Sequence, residues 1–299
     1  KKGLTSKALF WDLGLLLVTI VWGGGFVVTK NALDIMKPIT FLAIRFSIAS
    51  IPMIFLFRKQ LRKASKEDIK NGCILGVLLF LGFLTQTVGA AYTTPAKTSF
   101  ITGLNVVFVP FAAIMLTKKF PQVKAVITAF IALGGIALLS LNETLTISYG
   151  DFLTVLCAIA YAVHIVAISY YARKTDPLVL ASVQIFFTAI ASIVFAFIFD
   201  PMPSAFPMGA WIGIFYTALL GTVGAFIVQN MAQKYTPPTH TAIILSMEAV
   251  FGALASAIFW HEALTGRMLI GCSLIFVAII ANEVDFKQVF SKNKIDYNE

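Results

Sequence analysis

Glu248 is the side chain in this sequence that most demands a reason. It lies about twelve residues from either end of an apolar run, 236–260, and is the only carboxylate placed so deep in such a run. An ionised group at the centre of a bilayer costs about 3 kcal/mol on insertion scales. Glu248 must therefore face a wet cavity, find a partner or carry a proton. A proton-exchange site and an amino-group site both follow from that. The blander alternative is a brace between helices.

His164 stands near the middle of the run 150–173, one turn from Tyr161. Histidine donates and accepts hydrogen bonds, and as a residue type titrates near physiological pH. It suits a ligand contact, a proton relay or a bond to a neighbouring helix. Arg45 is about seven residues into the run 38–57. It could attract a carboxylate on a ligand, or Glu248. The simpler expectation is a brace whose long side chain snorkels to the membrane surface. Trp22, Gln86, Asn105, Gln229 and Asn230 complete the polar or amphipathic midspan set, with hydroxyls from Thr85, Thr98 and Thr102. An amide in hydrocarbon needs a partner, either another helix or a ligand. Trp22 precedes Gly23-Gly24-Gly25, which permit close packing or bending, so its ring can form a cavity wall or gate.

Other chemistries are missing their parts. His261-Glu262 begins an H-E-x-x-H motif, but Thr265 stands where the second ligand belongs. No Walker lysine motif and no arginine array of the voltage-sensor kind appears. Cys73, Cys157 and Cys272 are odd in number, far apart and all in apolar segments. They supply neither a disulfide framework nor a metal cluster. The sequence thus points to no metal, no cofactor and no enzymatic activity.

The elements that position these residues are membrane helices. Of the 299 residues 59% are hydrophobic and only 12% charged, with a mean hydropathy of +0.88. Soluble domains average about 25% charged. The apolar residues fall into ten blocks: roughly 11–35, 38–57, 70–91, 95–117, 123–141, 150–173, 177–199, 208–234, 236–260 and 266–284. Blocks of about 20 residues match a ~30 Å hydrocarbon core. The expected fold is an all-α polytopic membrane protein whose surroundings are the lipid bilayer. The first block is long enough to remain as a span rather than a cleaved leader. With the N-terminus inside, eighteen Lys and Arg face the cytoplasm and four face out. That bias puts both termini in the cytoplasm and accounts for the net charge of +9 without nucleic acid.

The chain also repeats itself. Tyr92-Thr93-Thr94-Pro95-Ala96-Lys97-Thr98 returns 143 residues later as Tyr235-Thr236-Pro237-Pro238-Thr239-His240-Thr241. The same register pairs Gln86 with Gln229, and Asn105 with Glu248. A register of 139 pairs Trp11-Asp12 with Gly150-Asp151, Trp22 with Tyr161, and Arg45 with Gln184. Two halves, 1–145 and 146–299, follow. Five helices each makes the second half an inverted copy, an architecture of secondary transporters with a site near the midplane. The two Tyr-Thr-x-Pro stretches then open the fourth and ninth spans from opposite faces, as gates would.

Val21-Trp22-Gly23-Gly24-Gly25-Phe26, Arg45-Phe46, Gly150-Asp151-Phe152 and Met247-Glu248-Ala249-Val250-Phe251 through Glu262-Ala263-Leu264-Thr265 carry a family resemblance. In order, they resemble the EamA family of the drug/metabolite transporter superfamily. The chain has Ala249 where that family usually has Pro after the Glu. The resemblance implies a ten-helix fold with a cavity between the halves, in a bacterial cytoplasmic (inner) membrane. It implies movement of a small-molecule substrate, often an amino acid and often outward. Proton coupling through Glu248 or His164 is one option, and gating by Arg45 another. An ion channel and a membrane enzyme acting on lipid-linked substrates are the alternatives. Gly72-x-x-x-Gly76 and Gly209-x-x-x-Gly213 suit helix packing within a monomer, or a weak dimer contact.

Overall fold

The computed structural model describes residues 6–114, 118, 123–140, 148–200, 208–236, 238–263 and 265–283. The helices are α1 (Ser6–Leu33), α2 (Pro38–Leu56), α3 (Arg58–Lys63), α4 (Lys66–Ala91), α5 (Pro95–Gly103), α6 (Asn105–Ala112) and α7 (Val123–Ser140). Then come α8 (Tyr149–Tyr171), α9 (Pro177–Phe199), α10 (Ala210–Phe215), a π-helical segment (Tyr216–Gly224), α11 (Ala225–Gln233), α12 (Pro238–Phe259) and α13 (Gly266–Glu283). No strand occurs among the described residues.

The starts follow from local chemistry. Pro38, Pro95, Pro177 and Pro238 each open a helix, where a missing N–H costs nothing. Thr94 accepts from the Lys97 N–H, Ser148 from Asp151 and Asp176 from Leu178. Ser65 and Asp68 cap each other reciprocally at the head of α4.

Seven stretches are long and apolar enough to cross a membrane: α1 from Phe10, α2, α4, α8, α9, α10 through α11, and α12. The expected spans 123–141 and 266–284 appear as α7 and α13, each of 18 residues. The expected span 95–117 is not one helix. It divides at Leu104 into α5 and α6, and residues 115–117 lie outside those described. Asn105 turns its own side chain back to the Thr102 carbonyl at 3.0 Å, occupying an acceptor the ladder would otherwise use. Pro110 in α6 removes a further N–H. The expected span 208–234 is also interrupted, by the nine-residue π-segment. The Pro201/Pro203/Pro207 loop and the 145/146 boundary lie outside the described residues.

The two sequence halves interlock. α1 packs on α12, α4 on α8, α2 on α9, and α7 on α13. Two hydrophobic clusters result. One joins α1, α5, α6, α8, α11 and α12 around Leu15, Ile101, Leu104, Ile165 and Leu245. The other joins α2, α4, α9, α10 and the π-segment around Phe41, Phe46, Leu79, Phe83 and Ile185. Trp22 packs against both.

Small residues set the approach distances. A Cβ on Gly72 or Gly76 would meet Val183 or Phe187 of α9 at 2.5 or 2.6 Å. On Gly213 it would meet Val28 of α1 at 3.1 Å. Both G-x-x-x-G stretches are therefore used inside the chain. Gly252 of α12 is as tight, with a Cβ landing 2.3 Å from Ser99 of α5. Gly252→Ala should lower the unfolding free energy in detergent by ~1–3 kcal/mol, the cost of overpacking. Gly134→Ala, with no described residue within 4 Å of the added carbon, should be neutral or slightly stabilising. Thermal unfolding of both variants checks the contrast.

Candidate functional site

A cavity lies between the two hydrophobic clusters. It holds about 820 Å³ of space between protein atoms, counted with the open solvent it borders. Its wall includes Trp22, Arg45, Gln86, Asn105, Tyr161, His164, Gln229 and Glu248. These are the midspan residues singled out from the sequence except Asn230, which stands one step behind the wall; of the three hydroxyls Thr98 lines the cavity, and Thr85 and Thr102 do not. Every helix that lines it brings at least one polar or amphipathic residue inward. The repeat pairs Trp22/Tyr161, Gln86/Gln229 and Asn105/Glu248 meet here, and of the pair Arg45/Gln184 only Arg45 reaches the wall.

Glu248 is 4% exposed. Among the described residues no hydrogen bond or ion pair reaches its carboxylate. Close packing of α12 delivers it: Ala249 touches the Gly103 position of α5, and Gly252 receives Ser99. That same contact brings Asn105 to the wall. Asn105 donates Nδ2 to the Thr102 carbonyl, which fixes the amide and leaves Oδ1 buried without a partner. Gln229 Oε1 is likewise buried and unpartnered. Glu248, Asn105 and Gln229 thus bring to one cavity three acceptor groups that no protein donor satisfies. Such groups are rare in folded proteins and mark places where a ligand or water is received.

Arg45 contradicts the expectation of snorkelling. It is 5% exposed and turns into the protein. Its Nε donates to Thr222 Oγ1 at 3.0 Å and its Nη2 to the Gly221 carbonyl at 3.4 Å. The guanidinium lies 4.5 Å from the Phe83 ring centroid, a cation–π contact. The π-segment is what receives it. Winding with wider turns frees carbonyls from the α ladder, and Gly221 also accepts from Trp22 Nε1 at 2.8 Å. Thr222 closes the bulge by donating to the Thr217 carbonyl. The Trp22 ring is thereby pinned against the cavity, a wall rather than a free gate.

Two hydrogen-bonded chains carry the remaining amides. Tyr161 donates to Gln86 Oε1, and Gln86 Nε2 donates to Thr102 Oγ1, both at 3.2 Å. The Tyr161 ring packs on Gly82, where an added Cβ would land 2.3 Å from it. Its phenol stands within electrostatic reach of both Arg45 and Glu248, which form no ion pair with each other. The second chain begins at Asn230, whose Nδ2 donates to the Phe226 carbonyl. Asn230 Oδ1 must then accept from Gln184 Nε2, at 3.1 Å. Gln184 Oε1 is left to face His164 Nε2 at 2.7 Å. An amide oxygen only accepts, so the proton belongs on His164 Nε2. Gln184 was missed as a site residue, although its register with Arg45 was visible.

Residues 9–141 and 148–282 each match the EamA-like transporter family. The chain belongs to that family. An uncharacterized transporter of Archaeoglobus fulgidus is 35% identical over 274 residues, covering 92% of this chain and 86% of its relative. The uncharacterized transporter YoaV of Bacillus subtilis is 23% identical and covers 92% of this chain and 97% of its own. A crystal structure at 18% identity superposes with a TM-score of 0.70 over 95% of this chain and 99% of the other. That last likeness concerns the fold. This EamA-family chain is a multi-pass membrane protein with two regions that match the family, and its relatives are named as transporters.

Gln184→Leu should remove the acceptor for His164 and the donor for Asn230 together. Each orphaned group costs ~1–3 kcal/mol, so unfolding in detergent should weaken by at least ~2 kcal/mol. Gln229→Leu deletes an oxygen that already lacks a partner and should change stability far less.

Proposed function

We propose that this EamA-family chain is a secondary-active transporter that moves an amino acid or related metabolite outward by alternating access. In this reading residues 1–145 and 146–299 are five-helix repeats of opposite orientation, ten spans in all. The membrane is a bacterial cytoplasmic (inner) membrane with both termini on the cytoplasmic side, which the Lys and Arg distribution supports. The working unit is a monomer or weak dimer. Use of both G-x-x-x-G stretches inside the chain supports that.

The observation that carries the reading is the unpartnered Glu248 carboxylate on the wall of a cavity between repeats. Glu248, Asn105 Oδ1 and Gln229 Oε1 only accept, so they suit an ammonium group. Arg45 stands elsewhere on the same wall and suits a carboxylate. A zwitterion satisfies both, with Tyr161 and His164 between as adaptable hydrogen-bonding groups. A carboxylate without a fixed protein partner can also exchange a proton for an ammonium, which couples transport to a proton gradient. Trp22, Gln86 and Asn230 shape the wall and hold its polar lining in place.

Uptake of a panel of labelled amino acids into proteoliposomes tests this. Glu248→Gln keeps shape and burial but removes the charge. Transport should fall by about tenfold or more, as the loss of a ~1.4 kcal/mol contact would give. Thermal unfolding should be unchanged. Undiminished transport with unchanged pH dependence in Glu248→Gln would refute the role given to that residue.

A further inference from the structure

We infer that the two ends of the cavity are closed by carboxylate latches related by the repeat, and that one latch responds to protons. The inference rests on the alternating-access reading. Asp151, fully buried in the first turn of α8, accepts from Thr93 Oγ1 at 2.6 Å. Lys97 Nζ of α5 lies 3.6 Å from its other oxygen. At the opposite end of these helices Asp12 of α1 accepts from Thr236 Oγ1 at 3.4 Å, and His240 Nε2 of α12 lies 3.3 Å from its Oδ2. Asp12 and Asp151 share the 139-residue register; Thr93 and Thr236, and Lys97 and His240, share the 143-residue one. Three corresponding positions, two of them with the same residue type and the third with a basic residue in both copies, build the same contact twice. Each contact ties a helix of one half to a helix of the other.

One latch sits at the head of α12, which carries Glu248; the other sits at the head of α5, the helix that leads into α6 and Asn105. Asn105 follows Lys97, and Glu248 follows His240, by eight residues each. Within the continuous α12 that is about 12 Å at 1.5 Å per residue; between Lys97 and Asn105 the helix breaks at Leu104. A latch that opens frees the head of the helix whose body lines the cavity.

The two copies differ in the cation. Lysine is charged throughout the physiological range, and the Lys97–Asp151 side chains are 26% and 0% exposed. Histidine is an ion-pair partner only when protonated, and the His240–Asp12 side chains are looser, at 41% and 13%. A neutral ring gives Asp12 one ordinary hydrogen bond; an imidazolium gives a charge-assisted one, roughly twice as strong. Asp12 is the carboxylate in contact with the ring. Lys234 and Tyr235 precede α12, and Arg173 and Lys174 follow α8 at this same end, where Gln233 bonds to Ser169. Lys118 lies between α6 and α7 in the chain, and Lys124 is in the first turn of α7. Lys174 is engaged with Tyr170. Acid on this side therefore closes the α1–α12 end, and the proposed orientation makes that side the cytoplasm.

The test is an inter-spin distance measurement on full-length protein in lipid nanodiscs. The native cysteines are replaced and labels placed at Phe10 and Tyr235, which are 65% and 47% exposed. Between pH 8 and pH 5 the ratio of short to long distances should rise, by up to ~5-fold for a half-exposed pair. His240→Gln should abolish the rise, and His240→Lys should hold the short distance at both pH values. A wild-type ratio that does not change, or an equal rise in His240→Gln, overturns the latch. A second label pair at Tyr92 and Tyr149 watches the other end. If that pair lengthens as the first shortens, both ideas stand. If it stays fixed while the first closes, the latch holds and alternating access falls.

Discussion

A polar atom inside a bilayer has no water to return to, so it must find its partner in the protein. That constraint organises this molecule. Arg45, Trp22, Tyr161, Gln184 and Asn230 all bond to other parts of the protein, and the bonds of Arg45, Trp22 and Tyr161 cross between the two sequence halves. Donors and acceptors are matched in a defined order, down to the hydrogen on His164. Against that background Glu248, Asn105 Oδ1 and Gln229 Oε1 are conspicuous for having no protein partner. Ser192 Oγ, Gln233 Oε1 and Thr241 Oγ1 are also buried without a hydrogen-bond partner, but none of them lines the cavity, which gathers the three acceptor groups named above.

The interlocking of the halves follows from the same rule. Helices in lipid gain little from hydrophobic burial against each other, so close packing and polar bonds must hold them. Gly72, Gly76, Gly82 and Gly252 let backbones approach, and each approach joins a first-half helix to a second-half one. The cavity is what remains where two such packed clusters fail to meet. Trp22 belongs to both clusters, and the π-segment anchors it through Gly221. An irregular helix at this point provides carbonyls that a regular α ladder would keep for itself.

Much of this was legible beforehand. The polytopic helical class followed from block length, and the wall residues from the rarity of amides and charges in apolar runs. Register placed Trp22 opposite Tyr161 and Asn105 opposite Glu248, and the cavity brings all four together. What escaped depends on backbone geometry. Nothing in Tyr216–Gly224 advertises π winding, so the reach of Arg45 inward could not be foreseen, and length alone favoured snorkelling. The break at Leu104 hinges on a side chain folding back on its own helix, a choice made by the cavity around it. Gln184 looked like an interior amide until His164 and Asn230 were found at its two ends.

The central claim is that Glu248 is an unpaired carboxylate reserved for something that enters the cavity. Chemical modification addresses it directly. A hydrophobic carbodiimide reacts with carboxyls held in apolar surroundings and leaves a mass increment that peptide mass spectrometry can place. The account predicts modification at Glu248, slowed when a mixture of amino acids is present. Absence of label at Glu248, or labelling at a rate indifferent to every amino acid offered, would contradict it.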